Sequence, residues 1–120
     1  MMQLSKQTFY FLACLAFTGS AFAHAMLDSA KPGAGAVLEM PPAAIVLHFD
    51  STLETAGSRI SVDNAAGKPV VTGPVDHDKQ DDSSLRLRLP TLPPGHYHVN
   101  WQAVTHDGHR SVGDYTFTIH

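Results

Sequence analysis

The stretch "LRLRL" at residues 85–89 sets three leucines on one side and Arg86 and Arg88 on the other. Side chains alternate across a β-strand with a period of two, so this pattern predicts a strand buried on one face. The pattern recurs in "IVLHF" (45–49), "SRISV" (58–62), "HYHVNWQAV" (96–104) and "DYTFTIH" (114–120). Turn signals separate the runs: "SAKPGAG" (29–35), "MPPA" (40–43), "DNAAGKP" (63–69), "TGPVDHDKQDDSS" (72–84), "LPPGH" (92–96) and "HDGH" (106–109). No helical period is sustained after residue 24. Short strands punctuated in this way predict an all-β sandwich or small barrel.

The apolar faces supply a predicted core of Ile45, Leu47, Phe49, Ile60, Val62, Leu85, Leu87, Leu89, Tyr97, Val99, Trp101, Tyr115, Phe117 and Ile119. His96, His98 and Asn100 fall on the opposite, polar face of their strand, and His48 on the polar face of its own. The acidic "DHDKQDD" (76–82), with His77 inside it, reads as a solvated loop.

The N-terminus has a different grammar. Lys6 precedes the uncharged apolar block "TFYFLACLAF" (8–17), and "TGSAFA" (18–23) closes with alanine at 21 and 23. That order predicts a secretory signal peptide cleaved after Ala23, leaving a single domain over 24–120 that begins at His24. The block is shorter than the ~20 residues a spanning helix needs. "FLAC" (11–14) also resembles a weak lipobox, which would leave Cys14 lipidated; Phe11 stands where leucine is preferred, and the block would be cut short. Cys14 is the single cysteine, so the processed chain is expected to hold neither disulfides nor thiolate metal sites. A formal net charge of −3 without a basic patch argues against nucleic-acid partners. No further stretch of membrane-spanning length follows, so any membrane partner is expected to be a separate chain.

Cleavage at that place would give His24 a free α-amine. Amine and imidazole from one residue close a six-membered ring on a metal ion. The α-amine, with a pKa of roughly 7.7–8 against about 10.4 for lysine, is also the easier amine to deprotonate. Far along the chain, "THDGHRSVG" (105–113) offers Asp107 and His109. Two apart in an extended chain, they are expected on one side, with His106 pointing away. One amine, two imidazoles and a carboxylate suit Cu(II) in tetragonal geometry. Zn(II) could take the same donors tetrahedrally, although the Irving–Williams order favours copper. Taken singly, Asp107-Gly108 would be a hairpin turn and His109 a surface histidine.

Two stretches carry a resemblance. "HAMLDSAKPGAGAVLEMPPAAIVLHF" (24–49) and "LPPGHYHVNWQAVTHDGHRSVGDYTF" (92–117) resemble the opening and closing of periplasmic copper-resistance proteins of the CopC/PcoC type. The shared marks are the histidine exposed by cleavage, "P-x-G-x-Y-x-V-x-W" and "D-x-H" before a final strand. The resemblance implies an immunoglobulin- or cupredoxin-like Greek-key β-sandwich that holds Cu(II) in a histidine brace. Its ligands would be His24 by amine and ring, His109, and Asp107 as the carboxylate. It further implies a non-enzymatic periplasmic carrier that passes copper to an inner-membrane transporter or another periplasmic copper protein. The competing readings are a brace-type copper oxygenase acting on polysaccharide, a Zn(II) binder and a metal-free sandwich module. Two departures stand out. "GPVDHDKQDD" (73–82) has no methionine where some relatives hold Cu(I), and Met26 and Met40 stand alone. "HFDS" (48–51) replaces a common "HFSE", so the acidic neighbour of the amine is Asp50, Glu54 or missing, with His48 close by in sequence.

Overall fold

Each alternating run lies in a strand, save the last residue of two of them, Leu89 and His120. The computed structural model describes residues 25–120. Its strands are β1 (Leu27–Lys31), β2 (Val37–Leu38), β3 (Ala44–Phe49), β4 (Leu53–Asp63), β5 (Pro69–Gly73), β6 (Asp76–Asp78), β7 (Asp81–Arg88), β8 (Gly95–Thr105) and β9 (Arg110–Ile119). They form two sheets, ordered β1-β3-β7-β6 and β2-β9-β8-β4-β5. Apart from β2, which runs parallel to β9, the pairings are antiparallel. The chain crosses between sheets at β1–β2, β2–β3, β3–β4, β5–β6 and β7–β8, which makes a β-sandwich and places alternate residues of the longer strands in the shared interior.

The predicted core is buried except at Trp101, which is half-buried at the edge of the interior. Its ring meets Phe49 edge-on, with centroids 5.1 Å apart. It lies so close over Gly113 that a Cβ there would collide with the indole. Leu53, Val75, Leu92 and Ala103 also join the core, although they stand outside or at the ends of the clean alternating runs. Tyr97 is buried, and its hydroxyl donates to the Pro93 carbonyl at 2.6 Å. That bond ties the start of β8 to the preceding loop, as a tyrosine corner does in many sandwiches.

Two turn assignments need correction. "SAKPGAG" was expected to be a turn from Ser29, yet β1 runs to Lys31 and pairs with β3. The acidic 76–82 stretch is not a plain solvated loop. Asp76–Asp78 and Asp81 onward pair as a hairpin, with Gln80 at φ 63° near its tip. Buried Ser84 fastens it, accepting from the Asp78 N–H at 2.6 Å and donating to the Asp81 carbonyl at 2.8 Å. His77 belongs to β6, its Nδ1 donating to the Ser84 carbonyl at 2.9 Å. Polar residues hide this pairing from any hydrophobic pattern, because the backbone and one serine supply its bonds.

Candidate metal centre

The hairpin loop between β8 and β9 carries Asp107 and His109. Thr105, buried at the end of β8, holds it in place. The Thr105 N–H donates to the His109 carbonyl, and the Gly108 N–H donates to the Thr105 carbonyl, both at 2.8 Å. The Thr105 hydroxyl donates to Asp107 Oδ1 at 2.5 Å and accepts from the His109 N–H at 3.0 Å. Gly108 takes φ +94°, a left-handed conformation that favours glycine. Asp107 and His109 do come together, with His109 Nδ1 at 3.0 Å from Asp107 Oδ1. The reason differs from the expected extended chain: a tight turn brings them together.

This wiring fixes the chemistry of both groups. The Thr105 hydroxyl first, and His109 second, hold the Asp107 carboxyl down at about 2. It is therefore an anion throughout the physiological range. Both bonds end on Oδ1, so ligation by this carboxylate would use Oδ2. A carboxylate that accepts from Nδ1–H sets the tautomer whose lone pair is on Nε2, the usual way a metal-binding imidazole is oriented.

A second element reaches the same end of the sandwich. Asp50, in the turn after β3, accepts the Met26 N–H on Oδ1 at 2.8 Å and donates its own N–H to the Met26 carbonyl at 3.0 Å. The Met26 N–H is the main reason the Asp50 carboxyl is lowered. Ala25 is buried as a member of the core. The first described residues are thus clamped from both sides. Ala25 and Met26 line a hollow of about 520 Å³ together with Trp101, Arg110 and Val112. Ser51, Thr52, His106 and Asp107 line another of about 230 Å³.

Of the two acids the sequence offered, Asp50 is the one bonded to the first described residues, through Met26. Glu54 instead receives His106 Nδ1 at 2.7 Å, which agrees with His106 pointing away from the Asp107–His109 pair. A bulge in β4 makes that meeting possible, since the pairing with β8 shifts between Glu54 and Arg59. Ser58 fastens the bulge, donating to the Glu54 carbonyl at 2.5 Å and accepting from the Val104 N–H at 2.9 Å. His48 bonds Asp81 instead, at 2.9 Å.

His24 lies outside the described residues, as do the segment 1–23 and Cys14. Among the described residues, no group of three His, Cys, Asp or Glu side chains is gathered to hold a metal. Asp107 and His109 supply two ligands at most, and a complete site needs donors from elsewhere. Thr105 is the supporting residue that sequence reasoning missed, and Asp50 was named there only as one of two possible acids. Thr105 was detectable as the inward position after Ala103 in the β8 alternation, whereas nothing local marked Asp50 as the clamp on Met26.

Known proteins are similar to this chain in sequence and fold. The CopC domain model matches residues 27–120. Protein YobA of Escherichia coli (strain K12) is 36% identical over 103 residues, covering 85% of this chain and 83% of that protein. The structure of CopC from Methylosinus trichosporium OB3b superposes with a TM-score of 0.76 at 32% identity, over 80% of this chain and 93% of that one. The structure of PcoC, a methionine-rich copper resistance protein from Escherichia coli, gives 0.67 at 29% identity, over 82% of this chain and 100% of that one. No helix among the described residues is long and apolar enough to cross a membrane. With the sandwich, the closing hairpin and the match over nearly every described residue in agreement, the chain belongs to the CopC family.

Proposed function

We propose that this protein is a periplasmic Cu(II) carrier for copper resistance, taking the ion in a brace formed by His24, Asp107 and His109. The observation that carries the reading is convergence. Asp50 clamps Met26, two residues after His24, beside a hollow that Arg110 next to His109 also lines, and Ser51 and Thr52 just after Asp50 line another hollow with Asp107. Processing after Ala23 would free the amine of His24 beside that pair. Its amine and ring, the His109 imidazole and Asp107 Oδ2 would then complete an N/O set suited to Cu(II).

The carboxylate decides what such a site does. A hard anionic donor favours Cu(II) over Cu(I), and it occupies a position that an oxygen-activating centre would leave open. A holding role follows, with no catalysis. One electron from a reductant at the receiving partner would convert Cu(II) to Cu(I), weaken the attraction to carboxylate and amine, and release the ion. The partner would be a membrane copper transporter or another periplasmic copper protein.

The test compares processed protein starting at His24 with protein carrying one extra residue ahead of it, by Cu(II) titration and electron paramagnetic resonance. The extension should weaken binding about a hundredfold or more, roughly 2.7 kcal/mol, with the fold unchanged. Equal affinity in the two proteins would sink the brace. Copper-loaded native protein given ascorbate should leave polysaccharide intact; turnover of it would establish the oxygenase reading instead.

A further inference from the structure

The outer face of the five-stranded sheet carries a second group of donors at the other end of β8. His96 and His98 are two apart on that strand, so their side chains leave the same face about 6.6 Å apart. Asp63 of β4 stands directly opposite His98 in the register. Asp63, His96, His98 and Thr116 line one hollow of about 320 Å³.

Each ring has one nitrogen committed. His98 Nε2 donates to Asp114 Oδ2 at 2.7 Å, and His96 Nδ1 is bonded to Thr118 Oγ1 at 2.9 Å. The Asp114 bond fixes the His98 tautomer with its lone pair on Nδ1, the arrangement in which a carboxylate orients a metal-binding imidazole. Asp63 is anchored through Oδ2, which accepts from Asn100 Nδ2 at 3.3 Å, so Oδ1 can serve as a donor.

We infer that His96, His98 and Asp63 form a second, weaker site for a divalent transition-metal ion, with Asp114 orienting His98. Two imidazoles and a carboxylate, completed by water, suit Zn(II) and Cu(II). At rest these groups are not gathered. Closing the site requires rotation of exposed side chains, which makes binding weaker than in a preformed site. Thr105 lies seven steps along β8 from His98, about 23 Å at roughly 3.3 Å per step. The two sites are therefore independent, and this one stands whether or not the brace does.

The experiment titrates Zn(II) into the protein extended ahead of His24, so that no terminal chelate competes, and follows amide NMR signals. The signals of residues 96–98 and 114–116 should move together as the site fills. In the double variant His96→Ala/His98→Ala, with its fold checked by circular dichroism, those shifts should vanish and affinity should fall at least tenfold. Asp114→Asn should weaken binding about tenfold. Shifts confined to residues 77–84 or 105–109, unchanged affinity in the double variant, or no Zn(II) binding at millimolar concentration would each overturn the site.

Discussion

At the scale of single residues, Thr105 links the fold to the chemistry. Its one hydroxyl both lowers the Asp107 carboxyl and grips the His109 backbone. Thr105→Val keeps the shape and removes those bonds, so stability should drop by about 1 kcal/mol. The Asp107 carboxyl should return towards the ordinary aspartate range, as read by carbon-detected NMR titration. The sign of the pH effect follows from the lowered carboxyl. Ionised Asp107 favours the fold above the ordinary aspartate pKa of 3.8, and that contribution is lost as pH falls towards about 2. The metal-free protein should therefore lose stability across that window, and Thr105→Val should flatten the loss. Copper should leave earlier on acidification, because amine and imidazole donors must be deprotonated to ligate while Asp107 is still anionic. A copper-release midpoint between pH 2 and 3, measured by competition with a chromophoric chelator, would contradict nitrogen ligation.

At the scale of elements, β8 carries the most structure. One end is pinned by the Tyr97 hydroxyl on Pro93, and Tyr97→Phe should cost about 1 kcal/mol in urea unfolding. Further along, Trp101 packs on Phe49 and across Gly113 of β9. Gly113→Ala forces the ring aside, and overpacking of that kind costs typically 1–3 kcal/mol. The indole also lines the hollow beside Met26 and Arg110, so its fluorescence should change in that variant. An unaltered emission spectrum with full stability would mean that the indole has room to move. The inner face of β8 therefore builds the wall beside the candidate centre, while its outer face presents His96 and His98 to solvent.

At the scale of the whole molecule, ligand binding and folding are linked. A Cu(II) ion that binds only the native state at a free concentration 100 times its Kd adds about 2.7 kcal/mol of stability. For a domain of this size, each kcal/mol moves the midpoint by roughly 4–8 °C. Processed protein should show a thermal shift of roughly 10–20 °C, and protein extended ahead of His24 should show little. The sequence by itself determined the sandwich class, most of the core and the pairing of Asp107 with His109, because these depend on alternation and on short spacings. It could not show that residues 76–84 pair, since polar strands leave no hydrophobic trace. Nor could it choose between Asp50 and Glu54. Both are acids near the same turn, and only the register of β3, the bulge in β4 and the turn after β8 send one to Met26 and the other to His106. Contacts between residues 24 or 52 positions apart are set by how the sheets stack, and that was decided by the tertiary structure alone.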